Sequence, residues 1–135
     1  MPTPVNELEG VTDELVAKLA ERGIMDNEDL VKAAATPAQR KELAGFCGCE
    51  TSEILHLANR ADLARIRGIG GVYSDLLEIA GVDTVKELAR RRPDTLYAKI
   101  ADTNDRDRLT TKPPTQSMVQ NWISQAKALK SSLTY

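Results

Sequence analysis

The residues best placed to do chemistry are Arg65, Arg67 and the string Gly68-Ile69-Gly70-Gly71. Backbone N–H groups at the start of a helix have no intrahelical acceptor, so that end of a helix favours an anion such as phosphate. Two arginines beside a glycine corner add positive charge. For this to work, a helix ending near Ile66 must reverse into one beginning at Gly71, and Gly68 and Gly70 are expected to take φ > 0 in the turn. Ile69 then plugs the corner into the core, and Ser74 and Leu77 share one face of the following helix. A phosphate would sit on the N–H groups of Ile69, Gly70 and Gly71. Arg65 and Arg67 would lie nearby, with Arg60 or Arg90, Arg91 and Arg92 flanking.

Other reactive residue types form no catalytic constellation. His56 is the sole histidine and lies between Leu55 and Leu57 on an expected helix, where it reads as a half-buried structural residue. Cys47 and Cys49 are too close in sequence for an unstrained disulfide and lack a second ligand pair for zinc, so they read as buried small apolar residues. Arg90, Arg91 and Arg92 fall in a last helical turn, where cations complement the helix dipole. Trp122 falls on an apolar stripe with Val119, Ile123 and Ala126, a core pattern rather than a stacking platform. No enzyme activity, metal or cofactor is expected.

The glycine phrase occurs twice. Leu8-Glu9-Gly10-Val11-Thr12, continued through Leu19, Gly23, Ile24 and Leu30, matches Ile66-Arg67-Gly68-Ile69-Gly70, continued through Leu77, Gly81, Val82 and Leu88. The offset is 58 residues without a gap, an internal repeat. Thr12 stands where the second copy has Gly70, and Val16 where it has Ser74, so the first hairpin is the degenerate one. The expected division is a first repeat over residues 1–59 and a second over 60–135.

Helix starts are marked by capping residues. Thr12 opens a helix over 13–22 that Gly23 ends, and Asp26 opens one through Ala34. Thr36-Pro37-Ala38-Gln39 is a capping box with proline at the first helical position, opening a helix to about Ala44. Thr51 or Ser52 opens the next, to about Asn59. Gly71 to Ala80 is followed by a second capping box, Thr84-Val85-Lys86-Glu87, and then by a helix from Pro93 to Ala101. Residues 102–114 read as a loop, and Thr115 caps a last helix with Val119, Trp122, Ile123, Ala126 and Leu129 on one face. The connectors Gly45-Phe46-Cys47-Gly48-Cys49 and 110–114 read as worn hairpins, which makes four hairpin units. About eight or nine short helices leave no room for a sheet, and the fold class is all-α.

The 135 residues are 41% hydrophobic but only 4% aromatic, so Leu, Ile, Val and Ala must build the core. A chain of this size buries roughly two-thirds of its unfolded surface. No apolar run reaches the roughly 20 residues that cross a bilayer, and Met1-Pro2-Thr3-Pro4 begins no signal peptide. A cytoplasmic protein without membrane contact is expected. The net charge of −2 hides an asymmetry: residues 1–59 carry 5 Lys/Arg against 11 Asp/Glu, and residues 60–135 carry 13 against 9. The better hairpin is in the basic half, where an anionic partner would bind.

The Gly-apolar-Gly corner with its flanking apolar and small residues resembles the helix-hairpin-helix motif. More widely, the chain from about Leu30 to Leu129 resembles a family of uncharacterised bacterial proteins, a domain of unknown function related to tandem helix-hairpin-helix domains. The residues carrying this are Thr36-Pro37 with Arg40, Asn59 through Asp62 and on to Gly70, Leu76-Leu77 with Ala80-Gly81-Val82, Thr84-Val85 with Glu87-Leu88, and Pro114 with Val119, Trp122-Ile123 and Ala126-Lys127. The resemblance implies non-specific binding to the backbone of duplex DNA, or a role in protein assembly alone. The helix after the second hairpin opens Val72-Tyr73-Ser74-Asp75, without the Lys or Arg usual in DNA-binding members. Two functions therefore follow: a non-catalytic nucleic-acid backbone binder using Arg65, Arg67, Gly68, Ile69, Gly70 and Gly71, or a protein-interaction module in which the hairpins are corners only.

Overall fold

A computed structural model describes residues 2–8, 10–129 and 132–135. Met1, which opens the chain, and Glu9, the spacer of the first hairpin, lie outside the described residues. Among those described there are eight α-helices and no β-strand, with one isolated bridge between Pro4 and Asp26. The chain divides into two compact units, Met1–Arg65 with Ser131–Tyr135, and Ile66–Lys130.

The first unit opens with a 3₁₀ turn, Val5–Glu7, and continues with α1 (Asp13–Glu21), α2 (Asn27–Ala33), α3 (Pro37–Cys47) and α4 (Thr51–Leu63). Its caps follow the sequence: the side chains of Thr12, Asp26 and Thr36 each accept a first-turn N–H, and Thr36 with Gln39 closes the capping box. α4 packs on α2 and α3, and α1 on α3. Leu19, Leu30, Val31, Leu43, Ile54 and Leu57 are buried in one core. Asn27 is a buried polar peg. Its Nδ2 donates to Ala61 O at 3.1 Å while its Oδ1 accepts from Thr3 N–H at 2.7 Å, which ties the start of the chain to α4.

The second unit contains α5 (Gly71–Ile79), α6 (Val85–Ala89), α7 (Pro93–Asp107) and α8 (Gln116–Ala128). α8 packs on α6 and α7, and α5 on α7. Leu77, Leu88, Leu96, Ile100, Val119, Trp122 and Ile123 are buried, so Trp122 is a core residue. Leu129 is half-buried and ends α8.

Helix starts agree with the sequence reading, whereas three helix ends lie further on. α3 continues through Gly45 and Phe46 to Cys47 and is stopped by Gly48 at φ 70, so the connector read as a worn hairpin there is largely helix. A mid-helix glycine costs about 1 kcal/mol; packing of Leu43 and Ala44, with Phe46 under the Arg22 guanidinium at 4.0 Å, offsets it. α4 runs through residues 59 and 60 without a break because Arg60, Ala61, Asp62 and Leu63 are all buried. α7 continues six residues past Ala101. There the Thr103 hydroxyl donates to Lys99 O, and the Asn104 carboxamide takes both the N–H and the carbonyl of Thr110, pinning the returning loop. Arg108, at φ 52, ends the helix in the left-handed region. The second capping box is half-formed: Thr84 accepts from Glu87 N–H, but the Glu87 carboxylate holds Arg91 at 3.0 Å.

Candidate functional site

The second hairpin is built from the core outward. Ile66 and Ile69 are buried, and the Ile69 N–H donates to Ile66 O at 3.3 Å. Gly68 has φ 97, as the turn requires. Its lack of a side chain is needed a second time, because a Cβ there would lie 3.0 Å from Trp122 Nε1. Gly70 departs from expectation. It has φ −94 and ψ −168, an extended N-cap conformation open to any residue, with open space where a Cβ would stand. The left-handed turn is complete at Gly68, so the chain is already extended when it enters α5.

Arg67 is exposed, and its backbone is held from α8. Gln125 accepts the Arg67 N–H at 2.8 Å and donates to the Arg67 carbonyl at 3.1 Å, while its remaining amide hydrogen reaches Asn121 Oδ1 at 2.8 Å. Such a two-way amide clamp fixes the loop as a strand neighbour would. Beneath it, Trp122 meets the Tyr73 ring at 5.4 Å, and the Tyr73 hydroxyl donates to Lys112 O at 2.8 Å. The first intrahelical bond of α5 runs from Ser74 N–H to Gly70 O. The N–H groups of Gly71, Val72 and Tyr73, like those of any first turn, lack intrahelical acceptors; Gly70 supplies no side-chain cap for them, and the exposed Arg67 lies four residues ahead of the helix in sequence.

The structure divides the predicted residues. Arg67, Gly68, Ile69, Gly70 and Gly71 belong to the second unit, and Arg65 closes the first. Arg65 is half-buried against Asp62, with Nη1 2.8 Å from a carboxylate that is only 4% exposed. Arg60 is buried. Arg90 and Arg92 are exposed, Arg92 lying 3.8 Å from Asp94; Arg91 instead donates to Gly81 O at 3.0 Å, complementing the C-terminal end of α5. The sequence reading missed Gln125. It sits 58 residues from its partner and differs in no local way from the other polar residues of α8.

His56 lines an open cavity of about 360 Å³ in the first unit, with Gly10, Thr12, Cys47, Cys49 and Glu53. Both cysteines are half-buried rather than buried. Burial raises the Cys47 thiol, and burial with the nearby Cys47 and Glu53 pushes Cys49 up to about 11, so both stay protonated at neutral pH. Among the described residues no group of three or more His, Cys, Asp or Glu side chains is arranged to hold a metal ion. Among them, too, no helix is long and apolar enough to cross a membrane.

Comparison with curated proteins and with solved structures returns no match. A family model described as a domain of unknown function, DUF4332, matches residues 9–129, nearly the whole of both units, and the chain belongs to that family.

Proposed function

We propose that the chain is a non-catalytic binding module of tandem helix-hairpin-helix units that holds the phosphate backbone of duplex DNA through loop 67–71, without reading sequence. The observation that carries this is the start of α5, with no side-chain cap from Gly70, an exposed Arg67 in the loop leading into it and that loop's backbone hydrogen-bonded by Gln125. The unit that bears it has 11 Lys/Arg against 8 Asp/Glu; the other has 7 against 12.

The tandem reading is supported by positions 58 apart. α1 and α5 begin and end at that offset, the N-caps Asp26 and Thr84 share it, and the left-handed glycines fall in pairs: Gly10 with Gly68 and Gly23 with Gly81. Arg65, tied to Asp62, is not part of the proposed contact; Arg67 is.

Duplex affinity measured against salt tests the proposal. Binding is expected near micromolar and indifferent to sequence, with a slope of about −2 to −4 in log K against log salt, a few phosphates at roughly −0.9 each. Arg67→Ala should weaken every duplex alike and shallow the slope by about one. No binding at low salt, or binding indifferent to Arg67→Ala, overturns it. One observation favours the assembly reading: Val72 (45% exposed) and Ile79 (47%) are seven residues apart on one face of α5, an apolar pair in water. Self-association or binding of a protein partner, with no DNA binding, would select that reading.

A further inference from the structure

Residues 132–135 fold back onto the first unit although the whole second unit separates them from it in sequence. Leu133 is 4% exposed and joins the first unit's core. The Thr134 N–H donates to Ala35 O at 2.7 Å, and the Tyr135 hydroxyl reaches Asn59 Oδ1 at 3.0 Å. Arg40 is the centre of the seat. Its side chain, on α3 and only 3% exposed, donates to Ala34 O through Nη1 and to Thr134 O through Nη2, and its guanidinium lies 5.5 Å from the Tyr135 ring centroid. A guanidinium this deep needs acceptors, because an unpaired buried charge is costly. One of its two carbonyls, and the aromatic ring, come from the tail.

We propose that this surface, lined by Ala35, Arg40 and Asn59, is a docking groove for a short extended peptide of the chemistry apolar-Thr-aromatic, and that residues 132–135 occupy it in cis as a displaceable plug. This goes beyond the nucleic-acid reading and does not depend on it. The recognition elements are those of a peptide site: an apolar socket, backbone pairing at a helix end, and an arginine that takes a backbone carbonyl and an aromatic face together. The plug has no helix of its own, and its Thr134 and Tyr135 side chains are exposed, the Tyr135 ring at 61%. Non-helical segments with exposed side chains open before the helical core does. Because the tail is tethered, it competes at high effective concentration and keeps the groove closed to a free peptide.

The test uses the full-length chain and the probe acetyl-Ser-Leu-Thr-Tyr-amide. Leu133→Ser should loosen the plug and raise probe affinity about tenfold or more over the native chain, and adding Arg40→Lys, which removes the guanidinium fork, should abolish that gain. Equal affinity for the native and Leu133→Ser chains, or no binding to a folded Leu133→Ser chain, overturns the proposal. Should Leu133→Ser fail to fold, amide exchange in the native chain decides. The Thr134 N–H should exchange about tenfold or more faster than those of Ala58 and Ala61 in α4; exchange at the α4 rate overturns the proposal.

Discussion

The two glycine corners are alike in backbone and unlike in what lies beneath them. Gly10 and Gly68 both take φ near +90, at 88 and 97. A Cβ on Gly10 would meet His56 at an ordinary 3.5 Å, while one on Gly68 would press on Trp122 Nε1 at 3.0 Å. The helices that follow also differ. Thr12 caps α1 with its own side chain, whereas Gly70 leaves α5 uncapped. At the positions matching Val72 and Ile79, α1 has Glu14 and Glu21. Similar backbone geometry thus serves a self-satisfied, acidic corner in one unit and an open corner in the other. The lesson is that a turn's backbone is set by local sterics, whereas its capacity to bind depends on caps and surface charge that substitute independently.

The largest effect expected in this comparison is that of Trp122→Ala, which removes the support beneath the second corner. It should destabilise by about 3–5 kcal/mol, as for a large aromatic deleted from a core. A smaller loss in calorimetry or denaturant unfolding would mean that the corner rests on something else. Gly68→Ala should follow at roughly 1–3 kcal/mol, combining a left-handed φ with the approach to Trp122, and Gly10→Ala should cost less, from φ alone. The two changes at Gly68 and Trp122 should be non-additive, since removing the indole relieves part of the clash. Equal costs at Gly10 and Gly68 would mean that Trp122 does not crowd the second corner.

A pH experiment sharpens the contrast from the first unit's side. Cys49 lies near 11 in the folded chain against 9.0 ordinarily. Between these values the unfolded chain has lost the thiol proton and the folded chain keeps it, so stability should fall as pH rises from about 9 toward 11. Alkylation of Cys49 should show its midpoint near 11 in the native protein and near 9 in denaturant; coincident midpoints would show a thiol in contact with solvent. The smallest effect is that of Gly70→Ala. With φ −94 and open space at its Cβ position, it should lie within about 0.5 kcal/mol of the native chain or slightly above it. A loss matching that of Gly68→Ala would mean that Gly70, too, takes a left-handed conformation.

How much was legible varies with the range of the interaction. The caps Thr12, Asp26, Thr36, Thr84 and Thr115 were readable because a cap is satisfied within three residues. The ends of α3, α4 and α7 were not, because burial and the grip of Asn104 on Thr110 carry them past their local stop signals. Within the candidate site, a glycine turn over 68–71 was legible, but not that Gly68 takes φ > 0 while Gly70 stays extended. The pairing of Arg65 with Asp62 is only three residues in span, but its depth depends on the packing around α4.

The sequence by itself determined the all-helical class, the 58-residue correspondence, the helix starts and the charge asymmetry, since each rests on periodicity, short-range hydrogen bonding or counting. Tertiary structure alone decided that Gly68 rather than Gly70 turns the corner, and that Gln125 clamps Arg67. It alone also placed residues 132–135 on the first unit. Each of these depends on which distant side chain or surface arrives beside a residue, and a local pattern of residue types does not encode the identity of a neighbour 58 or 94 positions away.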